Sequence, residues 1–346
     1  MLKKICLCFV LLIVFMFCGC SEETPKEVAD VEDDDDLHIG MSFDSFVIER
    51  WTKDKEIFVA SAQTYGAKVN VQNASGDLNT QIEQIRYLIN KKMDVIVIIA
   101  VDSYGLSNVV NEARNAGIKV IAYDRLINNA DINLYISFDN KQVGTLMASS
   151  LVNVIGDDGK YLMLSGPTTD NNVKMVEEGF VETLAKSNAE IKAAMNAVNW
   201  KAEYAYEFLE QNQSLIDNIS GIMCGNDNIA TQAIRFLAER GYAGKIPVVG
   251  QDADLEACQR IVEGTQLMTV YKPVEELAKT AADCAINLAQ GRDITTVYNT
   301  ETINNGSYKC PYINLPPVAV NKENIDDIII KEGFHLREEV YLNIKK

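Results

Sequence analysis

The feature that most constrains the fold of this chain is a regular alternation of short apolar runs and amphipathic helices, which starts at Leu37. The run Asp94–Ala100 (DVIVIIA) is rich in β-branched residues, which is typical of a parallel strand buried on both faces. The segment before it, 79–91, has one apolar helical face, formed by Ile82, Ile85, Leu88 and Ile89. Because strands that alternate with helices pair in parallel through right-handed crossovers, the pattern predicts an α/β fold.

The strand–helix pattern occurs in two successive runs, which predicts two lobes. The first run ends near Phe138, and the second opens with a helix at 141–154. A chain of this length is also too long for one small domain. We expect two doubly wound parallel-sheet lobes joined by a hinge with three crossings, near residues 138–140, 268–271 and 299–317. The expected boundaries are 37–138 with 271–299 for the N-terminal lobe, 139–270 with 317–340 for the C-terminal lobe, and 300–316 for a hinge-crossing segment.

Polar side chains follow many of the predicted strands, at the point where each strand ends. These residues are Arg125, Asp170, Asn172, Asn226, Asp227, Asp252 and Lys272. In open α/β sheets the carboxyl ends of the strands are the edge where ligands bind. A single such residue is explained equally well as a helix cap, but their repetition favours the wall of a pocket between the two lobes.

The segment 246–273 contains two of these residues within one strand–turn–helix–strand unit. Asp252 follows the apolar run 246–250, and Lys272 follows the apolar run 267–271. An acid and a base therefore stand just past the ends of two strands. Taken alone, the segment also permits a simpler interpretation, in which Asp252 caps the next helix and Lys272 is merely exposed.

The mixture of residue types indicates the kind of ligand. Asp and Asn accept or share hydrogen bonds while Arg and Lys only donate them, so a neutral ligand dense in hydroxyls fits this set. Flat apolar faces for a sugar ring are available from Trp51, Trp200 and Tyr204. Each of these aromatics is equally compatible with the core of a lobe, and an amino-acid ligand also remains open.

The amino terminus has the pattern of an export signal. Lys3 and Lys4 precede an apolar run, 5–17, of signal-peptide length that is too short to span a bilayer comfortably. The run ends in Phe17-Cys18-Gly19-Cys20, which resembles the lipobox of bacterial lipoproteins, with Phe17 in place of the usual Leu. The resemblance implies removal of a signal peptide, 1–19, and attachment of lipid to Cys20. An uncleaved membrane anchor is the alternative.

The residues after Cys20 predict a solvated tether. The stretch 20–36 is dominated by acids and has almost no large apolar residue, so it cannot bury enough surface to fold. The whole chain carries a formal charge of −17, which argues against nucleic acid and against docking on anionic lipid. We therefore expect an exported protein, held at the cell membrane by its lipid and facing the extracellular side or the periplasm.

Cysteine and histidine usage argues against a metal centre. Beyond the amino-terminal region the cysteines are Cys224, Cys258, Cys284 and Cys310, and none of them forms a CxxC pair. The chain has only two histidines, so a zinc site lacks ligands, and we expect neither metal nor cofactor. Buried free thiols are the preferred interpretation, with one disulfide left open because the protein is exported.

Six ordered stretches resemble one protein family. They are ERWTKDKEIFV (49–59), AYDRLINNADINLYISFDN (122–140), DNNVK (170–174), GQDADL (250–255), GTQLMTVYKP (264–273) and KEGFH (331–335). They are similar to the D-xylose-binding proteins of bacterial sugar ABC importers, which have the type I periplasmic binding protein fold. The likeness covers nearly all of 37–335.

The resemblance implies a set of sugar-binding residues. Those that match the family's strings are Arg50, Trp51, Arg125, Asp170, Asn172, Asn226, Asp252 and Lys272. Tyr204 aligns with a position where enteric relatives carry a stacking tryptophan, and Trp200 aligns with a neighbouring tryptophan. Because a tyrosine ring is smaller and adds a hydroxyl, this departure bears on selectivity and affinity.

The leading functional hypothesis is a solute-binding lipoprotein that closes on D-xylose and presents the closed form to an ABC permease. The alternatives are a lipoprotein that signals through a sensor histidine kinase and a binding protein for another pentose or monosaccharide. We do not expect an enzyme, because nucleophile, metal and phosphate-loop motifs are missing and Arg and Lys near Asp252 suit binding more than acid catalysis. A transcription factor of similar fold is disfavoured by the export signal.

Overall fold

The computed structural model describes residues 36–344, which form two α/β lobes, each built around one twisted sheet. This confirms the predicted fold class of two lobes with mostly parallel sheets. The expected signal peptide, the lipid site at Cys20 and nearly all of the acidic linker lie outside the described residues. Among the described residues, no helix combines the length and the apolar character needed to cross a membrane.

The strands follow the alternation expected from the sequence. In chain order they are β1 (His38–Phe43), β2 (Lys68–Asn73), β3 (Val95–Ile98), β4 (Lys119–Tyr123), β5 (Leu134–Phe138), β6 (Lys160–Ser165), β7 (Glu190–Asn196), β8 (Gly221–Cys224), β9 (Val248–Gln251), β10 (Met268–Tyr271), β11 (Glu301–Asn304), β12 (Lys309–Leu315) and β13 (Val318–Asn321).

Helices connect most of these strands. In chain order they are α1 (Arg50–Thr64), α2 (Leu78–Asn90), α3 (Ser107–Asn115), α4 (Asn140–Ile155), α5 (Asn171–Leu184), α6 (Glu203–Gln211), α7 (Asp227–Glu239), α8 (Leu255–Glu263), α9 (Val274–Ala289), α10 (Ile294–Val297) and α11 (Arg337–Val340).

Each sheet places its strands in a doubly wound order. The N-terminal lobe has the order β11-β12-β5-β4-β3-β1-β2, in which only the β11–β12 pair is antiparallel. The C-terminal lobe has the order β13-β10-β9-β8-β6-β7, in which only β13 runs antiparallel to its neighbour. In such sheets the crevice beyond the carboxyl ends of the parallel strands is the place for a ligand.

The chain passes between the lobes at three places. β5 leads into α4 at 138–140, β10 leads into α9 at 271–274, and β12 leads into β13 at 315–318. The expected hinge-crossing segment, 300–316, contains β11 and β12 of the N-terminal sheet, and the chain leaves that sheet after Leu315. Only Pro316 and Pro317 separate β12 from β13, and proline lacks the N–H that would continue a ladder.

Close helix packing fixes the amino terminus of α5, which faces the crevice. A Cβ atom at Gly144 in α4 would lie 1.9 Å from the carbonyl oxygen of Val176, and one at Gly179 in α5 would lie 1.9 Å from that of Lys141. Only glycine permits this approach. The two helices are therefore held backbone to backbone.

The four cysteines of the described chain are buried free thiols, as the preferred interpretation predicted: Cys224, Cys258, Cys284 and Cys310. Burial raises the pKa of each thiol. They pack as small apolar residues in the cores of the lobes.

Candidate functional site

A cavity lies between the lobes at the carboxyl ends of both sheets. The N-terminal lobe lines it with Ile48, Arg50, Trp51, Asp124 and Arg125. The polar lining from the C-terminal lobe and the second crossing consists of Ser165, Asp170, Asn172, Gln251, Asp252 and Lys272. The cavity therefore brings together most of the residues that the sequence singled out.

The N-terminal wall is set by the start of α1 and the end of β4. Arg50 and Trp51 are the first two residues of α1, and both are buried. Asp124 and Arg125 follow β4 directly. The left-handed φ of Asp124, +62°, turns the chain at the strand end, a conformation that Asp tolerates better than most residues.

Arg50 is held by two carboxylates. Its Nη1 donates to Asp124 Oδ2 at 2.9 Å, while its Nε and Nη2 donate to the carboxylate of Asp54 at 3.2 and 3.0 Å. Burial alone lowers the pKa of Arg50, but Asp54 and Asp124 raise it more, so the net pKa is well above its usual value. Burial raises the pKa of Asp124, but Arg50 and Lys272 together lower it by more than burial raises it. The net pKa is below its usual value, so this carboxyl stays ionised.

Arg125 joins the two lobes across the cavity. Its Nε lies 2.8 Å from Asp170 Oδ2 in the C-terminal lobe, and its Nη1 donates to Asp44 Oδ2 at 2.8 Å and to the Ala100 carbonyl at 2.9 Å in its own lobe. Burial lowers the pKa of Arg125, but Asp170 and Asp44 raise it above its usual value. The pair is thus a fully buried ion pair with supporting hydrogen bonds.

The amino terminus of α5 contributes Asp170 and Asn172. Asp170 caps α5 by accepting from the Asn172 backbone N–H at 2.9 Å, and its other oxygen also accepts from Trp200 Nε1 at 3.2 Å. Asn172 Nδ2 donates to Asp124 Oδ1 at 3.0 Å, which is a second polar bridge between the lobes. Asp170 is therefore both the cap of α5 and part of the cavity wall.

Asp252 and Lys272 meet at the ends of two neighbouring strands. Lys272 Nζ lies 3.5 Å from Asp252 Oδ1, and both side chains are about 5% exposed. The interpretation of Asp252 as a helix cap is wrong, because α8 begins after Asp254. Asp252 instead has a φ of +96° and turns its side chain into the cavity wall.

The aromatic walls differ from the prediction in one residue. Trp51 and Trp200 both line the cavity, whereas Tyr204 lies on α6, does not line the cavity, and is 37% exposed. The structure therefore places Tyr204, predicted as a ligand-binding residue, outside the cavity lining, and Ala205 and Leu209 are the buried residues of α6. Trp200 packs so closely on Gly166 that a Cβ there would lie 2.3 Å from the indole ring.

Asn226 stands at the edge of the site. It follows β8, caps α7 by accepting from the Ile229 N–H at 2.9 Å, and is buried. Its neighbour Gly225 lines the cavity, while Asn226 itself does not. The Asn226 Nδ2 is one of the buried polar atoms that lack a hydrogen-bond partner within residues 36–344.

Several polar atoms of the cavity-lining residues are unpaired within the described part of the chain. They are Trp51 Nε1, Arg125 Nη2, Ser165 Oγ, Gln251 Oε1 and Asp252 Oδ1, of which the last has only its ion-pair contact with Lys272. Buried polar groups are nearly always hydrogen-bonded in folded proteins. A set of donors and acceptors in one closed cavity suits a ligand that offers both, as a hydroxyl does.

Sequence reasoning missed two residues of the wall that carry a recognisable signal. Asp124 precedes Arg125 and Gln251 precedes Asp252, so both stand at the same strand ends as residues that were predicted. Asp44, behind the wall, follows β1 in the same way. Asp54, which binds Arg50 from outside the cavity, has no signal beyond its four-residue spacing.

Comparisons with known proteins identify the family of this chain. The family described as "Periplasmic binding protein domain" matches residues 39–293. The chain is 44% identical to the D-xylose-binding periplasmic protein of Haemophilus influenzae, over 88% of this chain and 92% of that one. It is 43% identical to the protein of the same name from Escherichia coli, over 88% of this chain and 93% of that one.

A solved structure extends the likeness to the fold. A carbohydrate transporter solute binding protein from Chloroflexus aurantiacus, crystallised with D-glucose, superposes with a TM-score of 0.79 at 27% identity. The match covers 88% of this chain and 98% of that one. The architecture of two lobes around a central crevice is therefore shared over the whole length of that protein.

Proposed function

The chain belongs to the periplasmic binding protein family, and from that premise we propose that it is an extracytoplasmic receptor that closes on D-xylose between its lobes. Its relatives at 43–44% identity are D-xylose-binding periplasmic proteins. The strings shared with that family include the start of α1, the YDR turn and the ends of β9 and β10, which all border the cavity. The proposed ligand is thus a neutral monosaccharide, with D-xylose preferred.

The observation that carries the proposal is the balance of charge in the cavity wall. The lining residues include three cations, Arg50, Arg125 and Lys272, and three carboxylates, Asp124, Asp170 and Asp252. Each cation already pairs with one of these carboxylates, Arg50 with Asp124, Arg125 with Asp170 and Lys272 with Asp252, so an anionic ligand would find no uncompensated cation in a buried site. A neutral polyol leaves the balance intact and still receives charge-assisted hydrogen bonds.

The geometry explains how such a wall recognises hydroxyls. A sugar hydroxyl donates to one carboxylate oxygen while it accepts from a neighbouring guanidinium or ammonium N–H. Asp252 with Lys272, and Asp124 with Arg50, each offer such an adjacent acceptor and donor. Trp51 and Trp200 add apolar faces for the C–H groups of a sugar ring.

Contacts between the lobes across the crevice would stabilise the closed form. Arg125 binds Asp170 and Asn172 binds Asp124, so the two walls support each other only when the lobes are together. Movement about a few chain crossings is the usual way in which two-lobed proteins close on a ligand. We propose that the three chain crossings beside the cavity act as the hinge for this movement.

We propose binding rather than catalysis. Asp124 has a lowered pKa, so it is a poor general acid at neutral pH. Burial raises the pKa of Asp170, but its two oxygens already accept from Arg125, Trp200 and the Asn172 N–H. A carboxylate surrounded by donors in this way is suited to binding.

The membrane partner we propose is the permease of an ABC importer. The proposal is supported by the transport role in the name of the structural relative and by the family membership. Lipid attachment at Cys20 would hold the receptor beside that permease. A sensor histidine kinase is the competing partner, and co-purification of the sugar-loaded protein from crosslinked membranes distinguishes the two.

A thermal-shift panel of pentoses and hexoses tests the ligand. At a concentration of about 100 times Kd, a ligand adds about 2.7 kcal/mol to the free energy of unfolding. We expect the melting temperature to rise most with D-xylose. A clear rise with D-ribose or D-glucose and none with D-xylose would reject the ligand assignment while leaving the fold and family unaffected.

A further inference from the structure

One residue outside the cavity holds a cavity residue in place. Asp54 lies one helical turn beyond Arg50 on α1, is fully buried, and does not line the cavity. Its two oxygens accept from Arg50 Nε and Nη2 at 3.2 and 3.0 Å. One of these oxygens also accepts from the hydroxyl of Tyr123, the last residue of β4.

This arrangement determines which part of the guanidinium is free. An arginine has five N–H groups, and three of them are bound to Asp54 and Asp124. One N–H on Nη1 and one on Nη2 remain, and the guanidinium carbon lies 4.5 Å from the centroid of the Trp51 ring. The two hydrogen bonds to Asp54 thus fix the orientation of the guanidinium beside the indole that lines the cavity.

The anchor is independent of the second lobe. Asp54 is on the same helix as Arg50, and Tyr123 is the last residue of β4 in the same lobe. None of these contacts depends on lobe closure. A flexible arginine side chain otherwise loses rotamer freedom when it binds a ligand, and that loss weakens binding.

We propose that Asp54 is a positioning residue, which holds the Arg50 guanidinium in its sugar-binding orientation before the sugar arrives, with Tyr123 as its second anchor. The proposal rests on the sugar-binding function proposed above. It makes Asp54 a determinant of affinity although it touches no ligand. Its effect on the sugar passes entirely through Arg50.

A double-mutant cycle on the purified full chain tests this route. Asp54→Asn keeps the shape of the side chain but replaces one acceptor oxygen by a donor that opposes the guanidinium. We expect roughly ten- to a hundredfold weaker binding of D-xylose, measured by titration calorimetry. In an Arg50→Met background, the same substitution should change Kd by less than about twofold, because the residue it positions is gone.

The control is Glu56→Gln, which removes a carboxylate from the exposed face of the same helix. It should bind D-xylose as the parent does. Unchanged affinity of Asp54→Asn, or an equal loss with and without Arg50, overturns the proposal. An equal loss in both backgrounds would mean that Asp54 supports the lobe in general rather than Arg50 in particular.

A ligand-free measurement separates this inference from the proposed function. In the ¹H–¹⁵N spectrum of the sugar-free parent, the Arg50 Nε–H signal, assigned by its absence in Arg50→Lys, should be sharp and protected from exchange with water. It should broaden or disappear in Asp54→Asn while the backbone amides of α1 stay in place. If the parent binds no sugar, the proposed function fails, and this signal still decides the positioning role: its persistence in Asp54→Asn contradicts it.

Discussion

Lys272 Nζ lies 3.5 Å from Asp252 Oδ1, so the ends of β9 and β10 meet as a buried pair of opposite charges in the cavity wall. The pair is formed by residues that each follow the last residue of a parallel strand. Because both residues are at one edge of the sheet, the pairing follows from the topology. Asp252 lines the cavity, and its Oδ1 has no hydrogen bond within the described residues, so this oxygen retains the capacity to accept one from a ligand.

Asp252→Asn should weaken D-xylose binding without unfolding the protein. The change replaces a carboxylate oxygen by a donor and leaves Lys272 underpaired in a closed cavity. Loss of a hydrogen bond to a charged group costs about 1.5–3 kcal/mol, which is roughly a ten- to hundredfold increase in Kd. Titration calorimetry measures this change.

The fold should tolerate Asp252→Asn for a conformational reason. The residue has a φ of +96°, and Asn adopts left-handed conformations more readily than other non-glycine residues. It does not cap α8, so no cap is lost. A melting curve of the sugar-free variant within about 3 °C of the parent is expected. Parent-like affinity would remove Asp252 from the binding set.

Trp200→Leu and Tyr204→Leu should have very different effects, although the family resemblance assigns stacking to Tyr204. Trp200 lines the cavity and donates to Asp170, whereas Tyr204 is 37% exposed on α6. We expect Trp200→Leu to weaken D-xylose binding by about 1–2 kcal/mol, roughly five- to thirtyfold. Tyr204→Leu should stay within about twofold of the parent, and the reverse ranking would restore the alignment-based assignment.

The misplaced aromatic illustrates what the sequence can and cannot provide. Arg125, Asp252 and Lys272 were predictable because every parallel strand ends at the same edge, so position along the chain implies position in space. The choice between Trp200 and Tyr204 depends on a short turn in which Asn199 and Trp200 both have positive φ. No periodicity predicts such a turn, so the residue that enters the cavity was not predictable.

Long-range pairing was the other source of error. β12 pairs with β5, from which it is separated by most of the C-terminal lobe, and β11 completes the edge of the same sheet. Pro311, Pro316 and Pro317 lie in or beside this segment, and prolines are typical of irregular chain. For this reason β11 and β12 were not predicted from the sequence. The Asp54–Tyr123 contact behind Arg50 is likewise set by the packing of α1 on the sheet rather than by a motif.

Lys53→Met should accelerate the release of the sugar. Lys53 on α1 of the N-terminal lobe donates to the carbonyl of Phe334 at 2.5 Å and lies 3.9 Å from the centroid of its ring. Phe334 packs against Tyr271, at the end of β10, so this contact joins the lobes beside a crossing. Loss of about 1 kcal/mol from the closed form should raise the dissociation rate about fivefold in stopped-flow measurements.

The matched control for Lys53→Met is Lys55→Met, which removes a lysine from the same helix. Its Nζ lies near Phe46 of its own lobe, so it does not cross between the lobes. The rate of sugar release should not change in this variant. Equal acceleration by both substitutions would indicate a general charge effect and contradict a specific contact between the lobes.

His335 should make stability fall in mildly acidic solution. Its ring Nε2 donates to the Ala253 carbonyl at 2.8 Å, next to Asp252, and burial lowers its pKa from 6.5 to about 4. Because the pKa of His335 is lower in the folded protein than in the unfolded chain, the unfolded chain binds the proton at a higher pH as the solution becomes more acidic. The stability it contributes is therefore complete above about pH 6.5 and is lost as the pH falls towards 4.

The measurement is urea unfolding of the sugar-free protein at pH 7 and pH 4. His335→Gln retains a donor for the Ala253 carbonyl but does not titrate. Relative to this variant, the parent should lose about 2–3 kcal/mol of unfolding free energy between the two pH values. Parallel losses in both proteins would assign the acid sensitivity to other groups.

The central claim, that a sugar binds between the lobes, is tested most directly by tryptophan fluorescence. The chain contains two tryptophans, Trp51 and Trp200, and both line the cavity, so the signal reports on this site alone. Titration with D-xylose should give a saturable change with one Kd, and each of Trp51→Phe and Trp200→Phe should retain a part of it. Absence of any change with D-xylose up to about 10 mM, beside a saturable change with a charged ligand such as an amino acid, would contradict the account.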